Sequence, residues 1–357
     1  MKFALYLLIG LALGIIAERL IGVRAPSPAA DADGPSTATA PGARPPKRKR
    51  KRRVGRIIAI TSVVVVILLL LTAFGAYRWA SNVFDKIEKV PVSAQLTPKS
   101  GSATNYLLVG SDNGRTGEAQ RQGVQGARSD TIMVLRIEDG HAKMLSLNRD
   151  LWVENPATGE NGRLNATYNQ GPGNLIQAVT QNFGIPINHY IEIDFESFGG
   201  LVDAFGGIDI YFPHPAFDPA SGLDIKEAGL VHLDGKQALA FVRSRHYNEW
   251  IDGKAVPDPT SDLGRVQRQQ VFLREIMKKA GGKRNPFTLR DAAENMSGGL
   301  RIDDQMTMWE AARFAWDMGR LNPESVVLPV TGRTTSGGAA VLDLDQPEAN
   351  AVLDQFR

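Results

Sequence analysis

The run Ile57–Tyr77, IIAITSVVVVILLLLTAFGAY, holds about twenty residues without a single charge. That feature removes most of the arrangements open to a chain of 357 residues. A helix rises about 1.5 Å per residue, so such a run matches the roughly 30 Å of hydrocarbon in a bilayer. A buried helix of a globular core rarely runs so far without a polar face. The run is read as a transmembrane helix over 57–77, which makes the chain one folded domain plus membrane and linker segments.

Directly before it, RPPKRKRKRRVGR (Arg44–Arg56) carries nine basic residues and no acid. Lys and Arg collect on the cytoplasmic side of a span. Residues 24–56 are therefore expected to be a cytoplasmic linker ending in a basic block, with everything after Tyr77 outside. The Pro-, Ala- and Ser-rich part of that linker, Ala25–Pro46, has too few large apolar residues to build a core. The formal charge of +3 becomes −6 once the nine basic charges are set aside. The exported part is not a polycation, which argues against nucleic acid as a partner over a broad basic face.

An earlier apolar stretch, Phe3–Ala17, lies in a hydrophobic segment over 1–23. It is read as a first span with the N-terminus outside, with a signal-like region as the alternative. The chain has no cysteine, so disulfides, thiolate catalysis and zinc–thiolate sites do not arise.

After the span, residues 78–102 read as an extracytoplasmic stalk, a helical stretch followed by a polar spacer, and 103–357 as the folded domain, starting near Asn105. NYLLVGSD, DTIMVLRI, AKMLSLNRD, HYIEIDF and IDIYF have strand length and composition. NLIQAVTQNFG, FESFGGLVDAFGG, DGKQALAFVRSR and GRVQRQQVFLREIMKKA read as helices, two of them closing on glycine. Strands interleaved with helices predict an α/β domain whose sheet is covered by helices.

In the last of those helices Arg265, Arg268 and Gln269 stand at i, i+3 and i+4, so they share one stripe. Val266, Leu273 and Met277 lie about a third of a turn away and are expected to face the core. Asp262 sits where an N-cap belongs, and it can also hold an arginine. Arg243 and Arg245, two residues apart, point to one side only where the chain is extended. A single surface arginine is usually just solvated. Recurrence in apolar surroundings such as LAFVRSRHY changes that reading, because guanidinium forks match phosphate oxygens and stay charged at any working pH.

Asp112 follows one apolar strand, and Arg128 and Asp130 precede another. Strand ends are where open α/β sheets build their sites. Two carboxylates so delivered suit a hard cation, Mg2+ or Mn2+, although GSDNG is also ordinary turn chemistry. Arg149 follows a third strand, and Arg163 and Asn165 occupy the loop beyond it. His214 reads as a packed loop residue.

The order of LLVGSD, RSDTIMVL, LSLNRDLWV, RLNATY, NHYIEIDFESFGGLVDAFGGIDI, LDGKQALAFVRSR and DLGRVQRQQVFLREI resembles the LytR-CpsA-Psr family of cell-wall glycopolymer ligases, over roughly Asn105–Ala280. The resemblance implies an extracytoplasmic domain tethered in the bacterial cell membrane. It also implies a central mixed, largely antiparallel sheet between helical layers, and a long apolar pocket for a polyprenyl tail. The implied activity transfers a glycopolymer from a polyprenyl-pyrophosphate carrier to the muramic acid 6-hydroxyl of peptidoglycan, leaving a phosphodiester.

The resemblance assigns the metal to Asp112 and Asp130. It assigns pyrophosphate binding to Arg128, Arg149, Arg243, Arg245 and Arg265, with Arg268 and Gln269 beside them and Asp262 as the acid of the same motif. Arg163 stands where a lysine is common in the family. A pyrophosphatase acting on the same carrier and a membrane-anchored transcriptional regulator are the alternatives. The polymer stays open: the Ala- and Pro-rich composition points to an actinobacterial envelope and arabinogalactan, while teichoic or capsular polymers fit as well.

Overall fold

The computed structural model describes residues 50–112, 128–259, 262–282, 286–296 and 298–357, and the side chains of Asp112, Arg128, Asp130 and Asp262 are among those inside these ranges that it leaves undescribed. The segment 1–23 and nearly all of 24–56 lie outside the described residues. Helix α1 runs unbroken over Arg50–Phe84. Its Ile57–Phe84 part is the one helix among the described residues long and apolar enough to cross a membrane. The chain divides into two compact units, Met1–Ala76 and Tyr77–Arg357.

The second unit is built on a seven-stranded sheet of β1 (Glu88–Val90), β2 (Thr104–Asp112), β3 (Arg128–Glu138), β4 (His141–Ser146), β5 (His189–Asp194), β6 (Leu300–Asp303) and β7 (Glu324–Val326). The strand order across it is β1-β6-β5-β2-β3-β4-β7. It is mixed, as expected: its longest ladders, β2 with β3 and β3 with β4, are antiparallel, while β5 runs parallel to β2.

The expected stalk over 78–102 is corrected here. β1 is an edge strand of this sheet, Val90, Val92 and Leu96 are buried in its core, and the Thr97 amide donates to the Ile187 carbonyl at 2.7 Å. The folded unit starts at Tyr77 rather than near Asn105. Prolines and serines between those apolar residues hide the packed positions behind a linker-like composition.

Side chains alternate across a strand with period two, and the sheet uses both faces. Leu107, Val109, Ile132, Val134 and Leu145 face one cluster, and Tyr106, Met133, Leu135 and Met144 face the other. Helix α2 (Pro172–Phe183) covers the first face with Leu175, Ile176, Val179 and Phe183. It opens on a proline, whose missing N–H costs nothing there, and closes on left-handed Gly184 at φ 70°.

A second helical group packs around its own core of Val202, Phe241, Phe272 and Ile276. It consists of α3 (Phe195–Ala204), α4 (Gly235–Arg243), α5 (Asp262–Gly282) and α6 (Pro286–Met296). A Cβ on Gly235 would lie 2.3 Å from the Gly199 carbonyl oxygen. Only glycine lets α4 approach α3 so closely, and that approach sets where α4 delivers Arg243. The other face of the sheet is covered by α7 (Met308–Met318), whose Phe314 ring lies 4.7 Å from that of Tyr106. The sheet thus sits between helical layers.

Candidate active site

Strand direction brings the sequence-selected acids together. β2 and β5 end, β3 begins and β4 ends at the same edge of the sheet, because Ser111 lies beside Asp194 in parallel register and Asp112 faces Arg128 in antiparallel register. Between Gly110↔Thr131 and Ser111↔Ser129 the ladder slips, leaving Asp130 as a bulged residue. Bulges of this kind re-aim a strand end beside a site. Asp112 and Asp130 thus stand on adjacent strands at one sheet end, an oxygen-donor pair that fits a hard divalent cation. Among the described residues no group of three or more His, Cys, Asp and Glu could hold a metal.

Arg243 ends α4 and is exposed, while Arg245 is half-buried. The backbone between them leaves the helix at Ser244, with φ −60° and ψ 124°, so the stretch is extended as the two-residue spacing requires. Asp218, fully buried, fixes this turn. Its Oδ2 accepts from the Ser244 hydroxyl at 2.7 Å and from the amides of Arg245 at 3.0 Å and His246 at 2.9 Å. Its Oδ1 accepts from the Ala220 amide at 2.9 Å. Burial pushes the Asp218 carboxyl up, but these donors outweigh it and hold the group below its ordinary range. Nothing in the sequence marks Asp218, which ends a short strand, Ala216–Asp218, with no charged neighbour beside it.

On α5 the expected faces are corrected. Arg265, Arg268 and Gln269 are buried together with Phe272 and Ile276, at 2%, 8%, 8%, 2% and 4% exposure, so the guanidinium stripe and the apolar stripe are one face. Of the residues expected to face the core, Met277 is buried and Leu273 packs against two core clusters, while Val266 is only half-buried and belongs to neither. The physical reason lies in what meets the helix. Arg268 donates to Asp258 at 2.7 Å and to the Ser244 carbonyl at 3.0 Å, and its guanidinium carbon lies 4.6 Å from the Tyr247 ring centre. Gln269 donates to the Val242 carbonyl at 3.4 Å. The terminal nitrogens of Arg268 and the amide of Gln269 are met by carbonyl and carboxylate oxygen supplied by the Val242–Asp258 segment. These bonds draw the Arg243–Arg245 and Arg265–Gln269 stretches together. Asp262 opens α5, and its expected capping bond lies outside the described side chains.

Arg149 and Arg163 meet at Asp150, whose carboxylate lies 3.4 Å from Arg149 Nε and 3.2 Å from Arg163 Nε. The Asn165 amide donates to the Arg149 carbonyl at 3.0 Å. A C-terminal hairpin, Val330–Thr334 paired with Ala340–Leu344, closes over this loop. Arg163 donates to the Ala340 carbonyl at 2.8 Å, and the Leu342 amide donates to the Asp150 carbonyl at 3.0 Å. His214 is half-buried in a loop past Phe212.

Gln270 donates to the Ser146 hydroxyl at 3.0 Å and so fastens α5 to the end of β4. A pocket of about 100 Å3 lies at that seam, lined by Asn148, Val266, Val327, Leu328 and Val330 among others. It adjoins both Arg149 and Arg265 in sequence. Its volume is far smaller than the long apolar pocket implied for a polyprenyl tail.

The sequence matches the LytR_cpsA_psr family over residues 71–357. It is 32% identical over 294 residues to a Corynebacterium glutamicum protein named "Probable cell wall biosynthesis protein LcpB", covering 78% of this chain and 67% of that one. It is 30% identical over 207 residues to an Enterococcus faecalis polyisoprenyl-teichoic acid–peptidoglycan teichoic acid transferase, TagU, covering 56% of this chain and 62% of the relative. Matches to several Bacillus proteins of the same name span 56% of their length. Among solved structures, the LytR-Csp2A-Psr enzyme from Actinomyces oris superposes with TM-score 0.63 at 25% identity, over 76% of this chain and 95% of that one.

Proposed function

Because the chain belongs to the LytR-CpsA-Psr family, we propose that it is a transferase of cell-wall assembly. It moves a glycopolymer from a polyprenyl-pyrophosphate carrier onto the muramic acid 6-hydroxyl of peptidoglycan and leaves a phosphodiester. The observation that carries this reading is the gathering of Arg243–Arg245 and Arg265–Gln269 by shared hydrogen bonds, with α5 fastened to the strand that leads into Arg149. The transferase name of the Enterococcus relative supports the same reaction class.

In the proposed step the sugar hydroxyl attacks the phosphorus bonded to the glycopolymer. The bond from that phosphorus to the bridging oxygen breaks, and polyprenyl phosphate leaves with the electron pair. Charge grows on the departing oxygen. Guanidinium groups held in advance by Asp258 and Asp150, together with Arg243 and Arg245 on the turn that Asp218 fixes through its backbone amides and Ser244, stabilise that charge without reorganising during the reaction. They stay protonated and cannot take the hydroxyl proton, which passes to water. Asp112 and Asp130 would hold Mg2+ or Mn2+, which would supply further positive charge to the diphosphate. The helix Ile57–Phe84 would anchor the unit at the membrane where a lipid carrier resides, with the basic block on the cytoplasmic side.

The test uses the full chain in lipid vesicles with a polyprenyl-pyrophosphate glycan and peptidoglycan fragments. Mass spectrometry is expected to find the glycan joined to muramic acid through phosphate, and Arg243→Ala to reduce that product. Free glycan phosphate with no joined product would favour the pyrophosphatase instead.

A further inference from the structure

Glu192 is a fully buried carboxylate in the middle of the sheet, on β5. Its neighbours in register are Val109 on β2 and Arg301 on β6. An ionised group in such a place costs free energy unless each lone pair is satisfied. Here all four acceptor positions are used. Oε1 accepts from the Ser111 hydroxyl and from the Tyr168 hydroxyl at 2.7 Å. Oε2 accepts from the Tyr190 hydroxyl at 2.8 Å and from Arg301 Nη1 at 2.9 Å. Arg301 in turn donates through Nε to Glu88 on the edge strand at 3.1 Å.

The two donors on Oε1 come from the segments that carry candidate site residues. Ser111 precedes Asp112 and stands opposite Ser129, at the ladder slip that makes Asp130 a bulge. Tyr168 closes the turn that begins at Arg163 and Asn165. One buried oxygen therefore ties the acid-bearing strand end to the turn that carries Arg163.

We propose that Glu192 is a positioning residue for the divalent-cation site at Asp112 and Asp130, acting through Ser111, and that it sets the spacing between that site and Arg163 through Tyr168. The inference rests on the cation site of the proposed function. Partners behind metal ligands typically change affinity by about 10–100-fold when removed.

A second buried carboxylate in the same sheet separates this role from simple stability. Asp303 is also fully buried. It accepts from the Tyr190 amide at 3.0 Å and the Met306 amide at 2.8 Å, and it meets His189 Nδ1 at 3.1 Å. His189 begins β5, so Asp303 lies at the opposite end of the sheet from Asp112.

The experiment titrates the full-length protein in lipid nanodiscs with Mn2+ alone, reading free Mn2+ by electron paramagnetic resonance, alongside thermal melts. Glu192→Gln and Ser111→Ala are expected to weaken Mn2+ binding about tenfold or more, and Asp303→Asn to lower the melting temperature with unchanged Mn2+ affinity. Tyr168→Phe is expected to leave Mn2+ binding nearly unchanged while lowering glycan transfer. Equal Mn2+ affinity in wild type, Glu192→Gln and Ser111→Ala would overturn the proposal. Absence of stoichiometric Mn2+ binding in the wild type would instead remove the cation site itself, and with it this role for Glu192.

Discussion

Arg268 reaches Asp258 across ten residues of chain at 2.7 Å, with both side chains largely buried at 10% and 16% exposure. Its other terminal nitrogen holds the Ser244 carbonyl at 3.0 Å. One guanidinium therefore secures both ends of the segment that follows Arg243.

Removing one partner of a largely buried ion pair costs more than the pair contributes, since the remaining charge loses its compensation. Arg268→Ala is expected to destabilise the folded unit by about 3 kcal/mol, read as a lower urea midpoint, and to reduce glycan transfer. Arg268→Lys restores a charge but not the planar fork that binds Asp258 and Ser244 together, so it recovers only part of the loss. Wild-type stability in Arg268→Ala would show that the bridge holds nothing.

Asp218 makes a sharper case, because its stabilisation is local. Four donors converge on it, three of them from the Ser244–His246 turn. Asp218→Asn turns one acceptor oxygen into an NH2 group that faces donors, leaving buried N–H groups without partners at about 1–3 kcal/mol. The expected signature is a larger fall in kcat than in stability, since Arg243 and Arg245 lose their fixed spacing. Parallel measurement of transfer rate and urea midpoint checks it, and a stability loss with unchanged rate would count against the positioning role.

Glu192 predicts an acid limb in stability. Burial pushes its carboxyl up, but Ser111, Tyr168, Arg301 and Tyr190 together draw it below the ordinary glutamate value of 4.5. The folded state then binds fewer protons than the unfolded state across the window between the folded value and 4.5. The stabilisation is fully present above 4.5 and is lost as pH falls through the folded value. Melting temperatures between about pH 3 and 6 should fall on the acid side for the wild type and fall less steeply for Glu192→Gln. Identical acid limbs for the two proteins would show that Glu192 contributes no linkage.

The strands were legible in the sequence because period-two patterns such as NYLLVGSD and DTIMVLRI have a single way to bury their apolar side chains. Helix α2 was legible because Gly184 ends it. The joining of β1 to the sheet was not, since Val90, Val92 and Leu96 are spaced by residues that read as linker. The arginines were visible by type and order. Their burial was hidden, because helical periodicity marks which residues share a face but not whether carbonyls and carboxylates wait opposite. Asp218 and Glu192 act through partners such as Ser244, Ser111 and Tyr168 that lie far away in the chain, and no local pattern announces such partners.

Asp150 offers the last test. It pairs with Arg149 and Arg163 at once, yet all three side chains keep contact with water, at 19%, 20% and 42% exposure for Arg149, Asp150 and Arg163. Ion pairs of this kind add little stability, about 0–1 kcal/mol, because solvent screens them and long side chains lose freedom in holding them. Orientation is a different matter, since small misplacements of a positioning group can cost about 100-fold in rate. Asp150→Asn is therefore expected to melt within a few degrees of the wild type while transfer falls about tenfold or more. High salt screens such exposed charges further, so added salt should slow the wild type more than it slows Asp150→Asn. A variant that transfers at the wild-type rate would mean that Arg149 and Arg163 do not depend on this carboxylate for their aim.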